Sequence, residues 1–300
     1  MKPIQLDGSS LNRAQLAEIA LGAPVSLDPS QMGAVQRAAD FLAEQVRREE
    51  PIYGVSTGFG SNADRLLGAR PLRDDLPGAT PSNRSLHEEL QVNLIVTHAV
   101  CVGEPLSADV VRAMLCIRIN TLLKGHSGIR VQTLQALAAL LNSGIVPVVP
   151  ALGSVGASGD LAPLSHLAIV LLGGGEAFVD GERMPGAEAL KRAGLAPVTL
   201  SYKEGLALNN GTAQMLATAV LAIETLEDLC DTADLAAAMT LDAFAGRMRA
   251  FDAHVHALRP HPGQVHVAGR LRELLAGSTL ADIAYHLVPR FRQWQPESWR

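Results

Sequence analysis

The chain has 300 residues, 48% of them hydrophobic, and its formal net charge is −5. A chain of this length and composition buries a core and forms one large or two ordinary domains, which excludes a disordered protein. Its basic residues are scattered and form no Lys/Arg run, so a nucleic acid is not an expected partner.

Helical signals dominate the first half of the chain. Asp28 is a predicted N-cap followed by Pro29 in the first helical position, and this helix extends to about residue 49. The next stretch, 52–84, is rich in Gly, Ser, Asn and Pro and has no sustained period, which predicts a long loop. Apolar stripes at helical spacing predict three more helices, over residues 86–102, 107–124 and 131–141.

The second half continues the helical pattern, interrupted by a hairpin signal at Asp180-Gly181. Pro163 does not argue against a helix there, because proline is tolerated in a first turn. The predicted elements are a helix over 160–172, the hairpin over 177–183, a short helix near 187–193 and an almost continuous helical stretch over 210–249. We therefore expect a mainly all-α fold, with one domain over residues 1–200 and the start of a long helical bundle over 201–300.

Cysteine usage and the N-terminus bear on the compartment. Cys101, Cys116 and Cys230 are odd in number and show no CxxC spacing, so neither a disulfide framework nor a zinc ribbon follows. The first eight residues contain no apolar signal core, and the longest apolar run, 161–172, is interrupted by polar residues and a proline. These features predict a cytoplasmic protein without a membrane span.

The most informative segment is residues 153–166, GSVGASGDLAPLSH, because it can turn its own backbone into an electrophile. The Gly159 nitrogen can attack the Ala157 carbonyl, since glycine is unhindered and tolerates positive φ. Loss of the Ser158 hydroxyl then leaves a conjugated, electron-poor ring. Its position at the start of a predicted helix favours negative charge on that ring. Taken alone, Ala-Ser-Gly is an ordinary loop that enters a helix.

The whole segment resembles the prosthetic-group motif of the ammonia-lyases and aminomutases that act on histidine, phenylalanine and tyrosine. This resemblance implies that Ala157, Ser158 and Gly159 form 4-methylidene-imidazol-5-one autocatalytically, without a metal. It also implies a small amino acid as substrate and an active site assembled from several subunits of a homotetramer.

A second matching segment is YGVSTGFG, residues 53–60. In the family its tyrosine is the base that removes the β-proton of the substrate, a role that the resemblance implies for Tyr53. The resemblance also places Gly60 at the substrate site. The alternative is a tyrosine that anchors or caps the loop.

A third match is LALNNGT, residues 206–212, whose asparagine before Gly-Thr lies beside the prosthetic group in the family. That residue is Asn210, and its amide can hydrogen-bond the ring oxygen or the substrate amine. The alternative is a helix N-cap, and Asn210 can fill both roles.

The pair Thr97-His98 lies on a predicted helix that is otherwise apolar. A lone histidine there is more often a hydrogen-bonded core residue. In the family, however, this pair of positions helps to select the substrate, and Thr97-His98 resembles the Ser-His of histidine ammonia-lyases. A buried imidazole discriminates because it disfavours ligands that leave it unpaired.

Four histidines near the C-terminus form a candidate metal site that we do not favour: His254, His256, His261 and His266. His254 and His256 would approach each other only in an extended segment, and no acidic or cysteine partner has ligand spacing. Residues 258–264, LRPHPGQ, instead resemble a surface segment that is commoner in the aromatic-type members of the family.

The resemblance runs from about Tyr53 to Trp294 and favours deamination of histidine to urocanate. The alternatives are a tyrosine or phenylalanine ammonia-lyase, a 2,3-aminomutase, or an inactive fragment that needs a complementary chain. Family members continue into a Gln-Asp-x-Tyr-Ser-Leu-Arg motif that supplies the carboxylate-binding arginine, and nothing after Trp294 matches it. We therefore expect these 300 residues alone to be oligomeric or aggregation-prone and to show little activity.

Overall fold

The structure is a computed structural model that describes residues 2–48, 51–55, 57 and 86–281, of which 86 and 87 are described by their backbone alone. The chain divides into two compact units, Met1–Ala222 and Ile223–Arg300. The expected domains over 1–200 and 201–300 stay a prediction.

The first unit begins with two short parallel strands around a helix. Strand β1 (Ile4–Leu6) pairs with β2 (Val25–Leu27) in the register Ile4 to Val25, and α1 (Arg13–Ala20) connects them. A capping box starts α1, because the Asn12 side chain accepts from the Gln15 N–H and the Gln15 side chain accepts from the Asn12 N–H. Helix α2 (Pro29–Arg47) follows.

The remaining elements of the first unit surround a buried helix. They are α3 (Leu86–His98), β3 (Val102–Pro105), α4 (Ala108–Leu122), α5 (Val131–Asn142), β4 (Val146–Pro147), β5 (Pro150–Leu152), α6 (Leu161–Leu171), β6 (Glu176–Val179), β7 (Glu182–Pro185), α7 (Gly186–Arg192), α8 (Glu204–Asn209) and the first part of α9 (Ala213–Ala243). β5 pairs antiparallel with β3, whereas β6 pairs with both β4 and β7.

Helix α4 is the centre of this core because it is buried almost all round. Val111, Met114, Leu115, Ile119 and Leu122 are fully buried, and burial of each such side chain contributes about 1.5–3 kcal/mol. α1 and α5 pack against α4, while α6 packs against α3 and α8. The segment that precedes α6 is thereby fixed between strand β5 and a well-packed helix.

The short helix α8 is held by a fully buried carboxylate at its first residue, Glu204. That carboxylate accepts from Arg130 Nη2 at 2.6 Å and from Thr133 Oγ1 at 2.7 Å, and also from the Ser201 N–H at 2.7 Å. A buried charge with this many donors is well compensated. The position of α8 therefore depends on groups more than 70 residues earlier in the chain.

Within the second unit, α9 is followed by a 3₁₀ helix (Met248–Phe251), α10 (Ala253–Ala257) and α11 (Pro262–Leu274). A small core of Ala238, Leu271 and Leu275 holds these elements together. By length and composition, the stretch Glu204–Ala243 could cross a membrane, and the core helix of a soluble protein meets the same criterion.

Most of the predicted helices are confirmed. The predictions over 28–49, 107–124, 131–141, 160–172 and 187–193 correspond to α2, α4, α5, α6 and α7. The hairpin is confirmed as β6 and β7, with Asp180 and Gly181 both left-handed at φ 52° and 83°. The loop predicted over 52–84 falls outside the described residues except at 52–55 and 57.

Two predicted helices were wrong in extent. The helix expected over 86–102 ends at His98, and Val102–Pro105 forms β3, because these residues pair with β5. The stretch expected over 210–249 begins only at Ala213 and ends at Ala243, where Ala245 turns left-handed at φ 51°. Helices α1, α8, α10 and α11 had no prediction.

Candidate active site

The loop between β5 and α6 turns sharply at the residues that the sequence singles out. Ser158 has a φ of 59° and Gly159 a φ of 102°, and the Gly159 N–H donates to the Gly156 carbonyl at 3.3 Å. A left-handed serine costs roughly 1–2 kcal/mol, so its surroundings must hold it. Ala157 and Ser158 are exposed, whereas Gly159 is buried. The serine hydroxyl therefore lies at the surface of a tight turn.

Asp160 anchors this turn from its C-terminal side. Its carboxylate is fully buried, accepts from Ser154 Oγ at 2.7 Å and accepts from the Met215 N–H at 2.9 Å. Met215 is the third residue of α9, so Asp160 satisfies one of the amides that a helix leaves unpaired at its N-terminus. The two ends of the loop are thus tied to each other and to α9.

Gly159 is required by close packing as well as by its backbone angle. The Asp160 N–H donates to the Gly211 carbonyl at 2.7 Å. A Cβ added at Gly159 would lie 2.5 Å from the Gly211 oxygen, a distance that no side chain tolerates. The Gly211 peptide therefore lies directly against the turn, a contact that only a glycine at 159 permits.

This contact brings Asn210 beside the loop, as the third motif requires. Asn210 lies at the C-terminal end of α8, donates its N–H to Leu206 and exposes its side chain. The alternative role as a helix N-cap is wrong, because α9 begins only at Ala213. Among the predicted site residues, the structure thus gathers Ala157, Ser158, Gly159 and Asn210.

Thr97 and His98 form the last turn of α3. His98 Nδ1 lies 2.8 Å from the Leu94 carbonyl; since a carbonyl only accepts, Nδ1 donates this hydrogen bond. Thr97 Oγ1 donates to the Asn93 carbonyl at 2.7 Å. His98 is half-buried and Thr97 is exposed. The ring is thus oriented by its own helix, with Nε2 as its remaining polar atom.

Tyr53 lies in the turn that follows α2. Its side chain is 54% exposed, and Gly54 beside it is left-handed at φ 68°. Gly60, the other residue predicted from this motif, lies outside the described residues. Tyr53 lies in the segment between α2 and α3, whereas the Ala157–Gly159 turn lies between β5 and α6.

Sequence reasoning missed two groups, the half-buried His166 and the buried Arg118. His166 Nε2 accepts from the Cys101 N–H at 3.0 Å and so ties α6 to the segment after α3. Burial lowers the pKa of His166, which favours the neutral ring that this bond needs. Arg118 of α4 is also buried and donates to the Ala207 carbonyl of α8. The only sequence signal was a charged residue within an apolar helix.

Comparison with known proteins identifies the family. The profile of the aromatic amino acid lyase family matches residues 11–297. The chain belongs to the aromatic amino acid lyase family. It is 49% identical over 282 residues to a histidine ammonia-lyase of Gloeobacter violaceus, and 47% identical over 281 residues to a histidine ammonia-lyase of Symbiobacterium thermophilum.

These alignments cover 94% and 93% of the chain but 52% of each relative, so the chain spans about half the length of the curated relatives it matches. Solved structures agree. The phenylalanine aminomutase of Pantoea agglomerans superposes with a TM-score of 0.85 at 33% identity, covering 98% of this chain and 54% of the other. A histidine ammonia-lyase from Trypanosoma cruzi gives 0.79 at 36% identity, covering 90% and 50%. The mainly all-α fold is confirmed.

The loop of this aromatic amino acid lyase fits the prosthetic group that the sequence predicts. Ring closure needs a turn at Ser158 and a glycine nitrogen with space around it. The turn is present, because Ser158 and Gly159 are both left-handed, and the lack of a Cβ at Gly159 leaves its nitrogen unhindered and permits the contact with Gly211.

The C-terminal histidines are arranged differently from a metal site. His254 and His256 lie within helix α10, which points side chains two residues apart in different directions. His256 Nε2 lies 3.1 Å from the Ala250 carbonyl. Throughout the described part of the chain, no three His, Cys, Asp or Glu side chains are grouped as metal ligands.

Proposed function

We propose that this chain supplies the electrophile-bearing part of an ammonia-lyase that converts L-histidine to urocanate. The observation that carries the proposal is the left-handed turn at Ser158 and Gly159, packed against Gly211 and anchored by the buried Asp160. The relatives named histidine ammonia-lyase, at 47% and 49% identity, support the choice of histidine.

The turn prepares the backbone for ring closure. The Gly159 nitrogen forms a bond to the Ala157 carbonyl carbon, and the oxygen of that carbonyl leaves as water with the hydrogens of the Ser158 and Gly159 amides. The Ser158 hydroxyl leaves with the α-hydrogen of the same residue as a second water. The mature chain is therefore lighter by two water molecules, and no other reactant is consumed.

When formed, 4-methylidene-imidazol-5-one supplies the electrophile that makes the substrate amine a good leaving group. The chain's own residues bind the substrate and move its proton. Tyr53 accepts the β-proton, and Asn210 offers its amide to the amine or to the ring oxygen. His98 would use Nε2 to hydrogen-bond the substrate imidazole, and the bond between Nδ1 and the Leu94 carbonyl supports this role because it occupies the other ring nitrogen.

The complete site needs residues beyond these. We infer that Tyr53 serves a turn on another subunit of a homotetramer, because the family resemblance implies a site assembled from several subunits. We also infer that the arginine for the substrate carboxylate comes from a further segment or complementary chain. The span of about half the relatives' length supports this inference. A cytoplasmic location suits the free thiols of Cys101, Cys116 and Cys230.

Intact mass spectrometry and product analysis test the proposal. We expect the purified protein to weigh two water molecules less than its encoded mass and to show a near-ultraviolet band that borohydride bleaches. The Ser158→Ala variant should keep its encoded mass and its helical circular dichroism. Folded wild-type protein at the full encoded mass would refute the electrophile.

A second candidate is supported by the solved structures, which include the phenylalanine aminomutase at TM-score 0.85 and a tyrosine aminomutase at 0.84. The residues 258–264 also resemble the aromatic-type members. Incubation with histidine, tyrosine and phenylalanine separates the candidates, because urocanate, coumarate, cinnamate and β-amino acids are distinct products. A mature ring without any of these products would favour a fragment that contributes structure only.

A further inference from the structure

Arg118 is a buried cation that the proposed reaction does not use. It lies on α4 between Ile117 and Ile119 and is only 5% exposed. No carboxylate of the described residues lies within ion-pair distance of its guanidinium. Burial lowers its pKa to about 10, so the group is still charged at neutral pH. A buried charge without a counter-ion costs free energy, which calls for a specific role.

The guanidinium caps the end of α8. Both Nε, at 2.8 Å, and Nη2 donate to the Ala207 carbonyl. Ala207 is among the last four residues of α8, whose carbonyls lose their helical partners when the helix ends. The chain leaves the helix at Asn210, whose extended backbone has φ −100° and ψ 105°. Arg118 therefore replaces the donor that a continued helix would have provided.

The same guanidinium lies against the next peptide of the chain. A Cβ added at Gly211 would lie far inside the van der Waals radius of Arg118 Nη1. The Gly211 carbonyl also accepts from the Asp160 N–H and would lie 2.5 Å from a Cβ added at Gly159. The Gly211 peptide is thus in close contact with both Arg118 and Gly159.

We propose that Arg118 is a positioning residue for ring formation, which it controls by holding the Gly211 peptide against Gly159. The inference rests on the proposed function, because it assumes that the turn matures. It assigns no contact between Arg118 and the substrate. Without the cap, the end of α8 can move, the Gly211 carbonyl withdraws, and the Gly159 nitrogen is no longer held in the geometry of attack.

The same helix offers a matched control. Arg112, six residues earlier on α4, is also buried and also donates to backbone carbonyls, those of Ile19, Leu141 and Ala23, at 3.0, 3.1 and 3.4 Å. These carbonyls belong to α1, α5 and the segment before β2, none of which is hydrogen-bonded to the described residues 154–160. Replacement of either arginine thus removes a buried donor to backbone carbonyls, but of the two only Arg118 also contacts Gly211.

The experiment compares Arg118→Met with Arg112→Met in the intact protein. Intact mass spectrometry follows the loss of two water molecules from the start of cell-free synthesis, and circular dichroism records the helix content. We expect ring formation to slow on the order of 100-fold in Arg118→Met, the size of effect that a displacement of about 1 Å has on a positioned reaction. Arg112→Met should mature at the wild-type rate even though it is less stable.

The outcomes separate this inference from the proposed function. A folded Arg118→Met variant that matures at the wild-type rate would overturn the positioning role alone. Equal slowing in both variants would also overturn it, because the effect would then be one of general stability. A wild-type protein that keeps its full encoded mass would overturn the proposed function together with this inference. If Arg118→Met does not fold, Arg118→Lys is judged by the same criterion, since lysine keeps the charge but cannot place two donors on Ala207.

Discussion

Replacing Asp160 with alanine should loosen the loop between β5 and α6, and the hydrogen bonds that are lost set the size of the effect. The substitution leaves two donors without their acceptor, Ser154 Oγ and the Met215 N–H. A buried donor without a partner costs about 1–3 kcal/mol. Both bonds are only partly buried, so water reaches these donors and the total loss should be about 2–3 kcal/mol. Such a loss lowers the urea midpoint of unfolding by about 1 M.

Urea unfolding and intact mass together test this reasoning. Asp160→Asn keeps an oxygen for the Met215 N–H, so we expect roughly half the loss, because charge-assisted hydrogen bonds are about twice as strong as neutral ones. Asp28→Ala is the control: its side chain caps α2 by accepting from the Ser30 N–H at 2.9 Å, and its removal should cost about 1 kcal/mol. Only Asp160→Ala should also impair ring formation. Equal midpoints for Asp160→Ala and Asp28→Ala, with full maturation in both, would refute the anchoring role.

Three further predictions concern single positions. Gly159→Ala should abolish the two-water mass loss, because its Cβ would lie 2.5 Å from the Gly211 oxygen. The control is Gly22→Ala: Gly22 is also left-handed, at φ 115°, but no atom lies within 4 Å of an added Cβ, so this variant should mature normally. Burial lowers the pKa of His166 below its ordinary 6.5, so the unfolded state binds more protons between the two pKa values. Thermal stability should therefore fall as pH drops below about 6.5. His166→Gln, which keeps an acceptor for the Cys101 N–H, should flatten that dependence. A variant with the pH profile of the wild type would contradict the role of His166. Tyr53→Phe should lower kcat far more than it raises KM in a complete assembly, because the phenol acts on a proton that moves only in the transition state. An unchanged turnover number would argue against the role of Tyr53 as the base.

Local patterns were sufficient for the elements whose partners lie a few residues away. The stripe of α4 and the Asp180-Gly181 hairpin follow from spacing and backbone preference, which are properties of neighbouring residues. The ring formation that we propose for Ala157, Ser158 and Gly159 is local for the same reason, because the attacking nitrogen and the carbonyl would belong to one turn. The roles of Tyr53, Thr97, His98 and Asn210 came from the family resemblance and stay predictions.

The extent of α3 and α9 could not be read from the sequence. Residues 99–102 have a helical composition, yet the Cys101 N–H donates to His166, 65 residues away, and Val102 pairs with Leu152. At the end of α9, Ala245 adopts a left-handed conformation. Alanine disfavours this conformation, so the sequence does not predict it. At the end of α3, long-range packing overrode local preference, whereas α9 ends in a local turn in which the Gly246 N–H donates to the Leu241 carbonyl.

The candidate turn at residues 157–159 and the helix α6 that follows it could be predicted from the sequence, because both depend on residue order and short-range geometry. The groups that hold the turn in place become visible in the folded chain alone. Asp160 finds the Met215 N–H 55 residues later, and Arg118 finds the Ala207 carbonyl 89 residues later. The physical reason is that a buried polar group must be paired, and its partner is whichever unpaired group the packing of helices brings within reach.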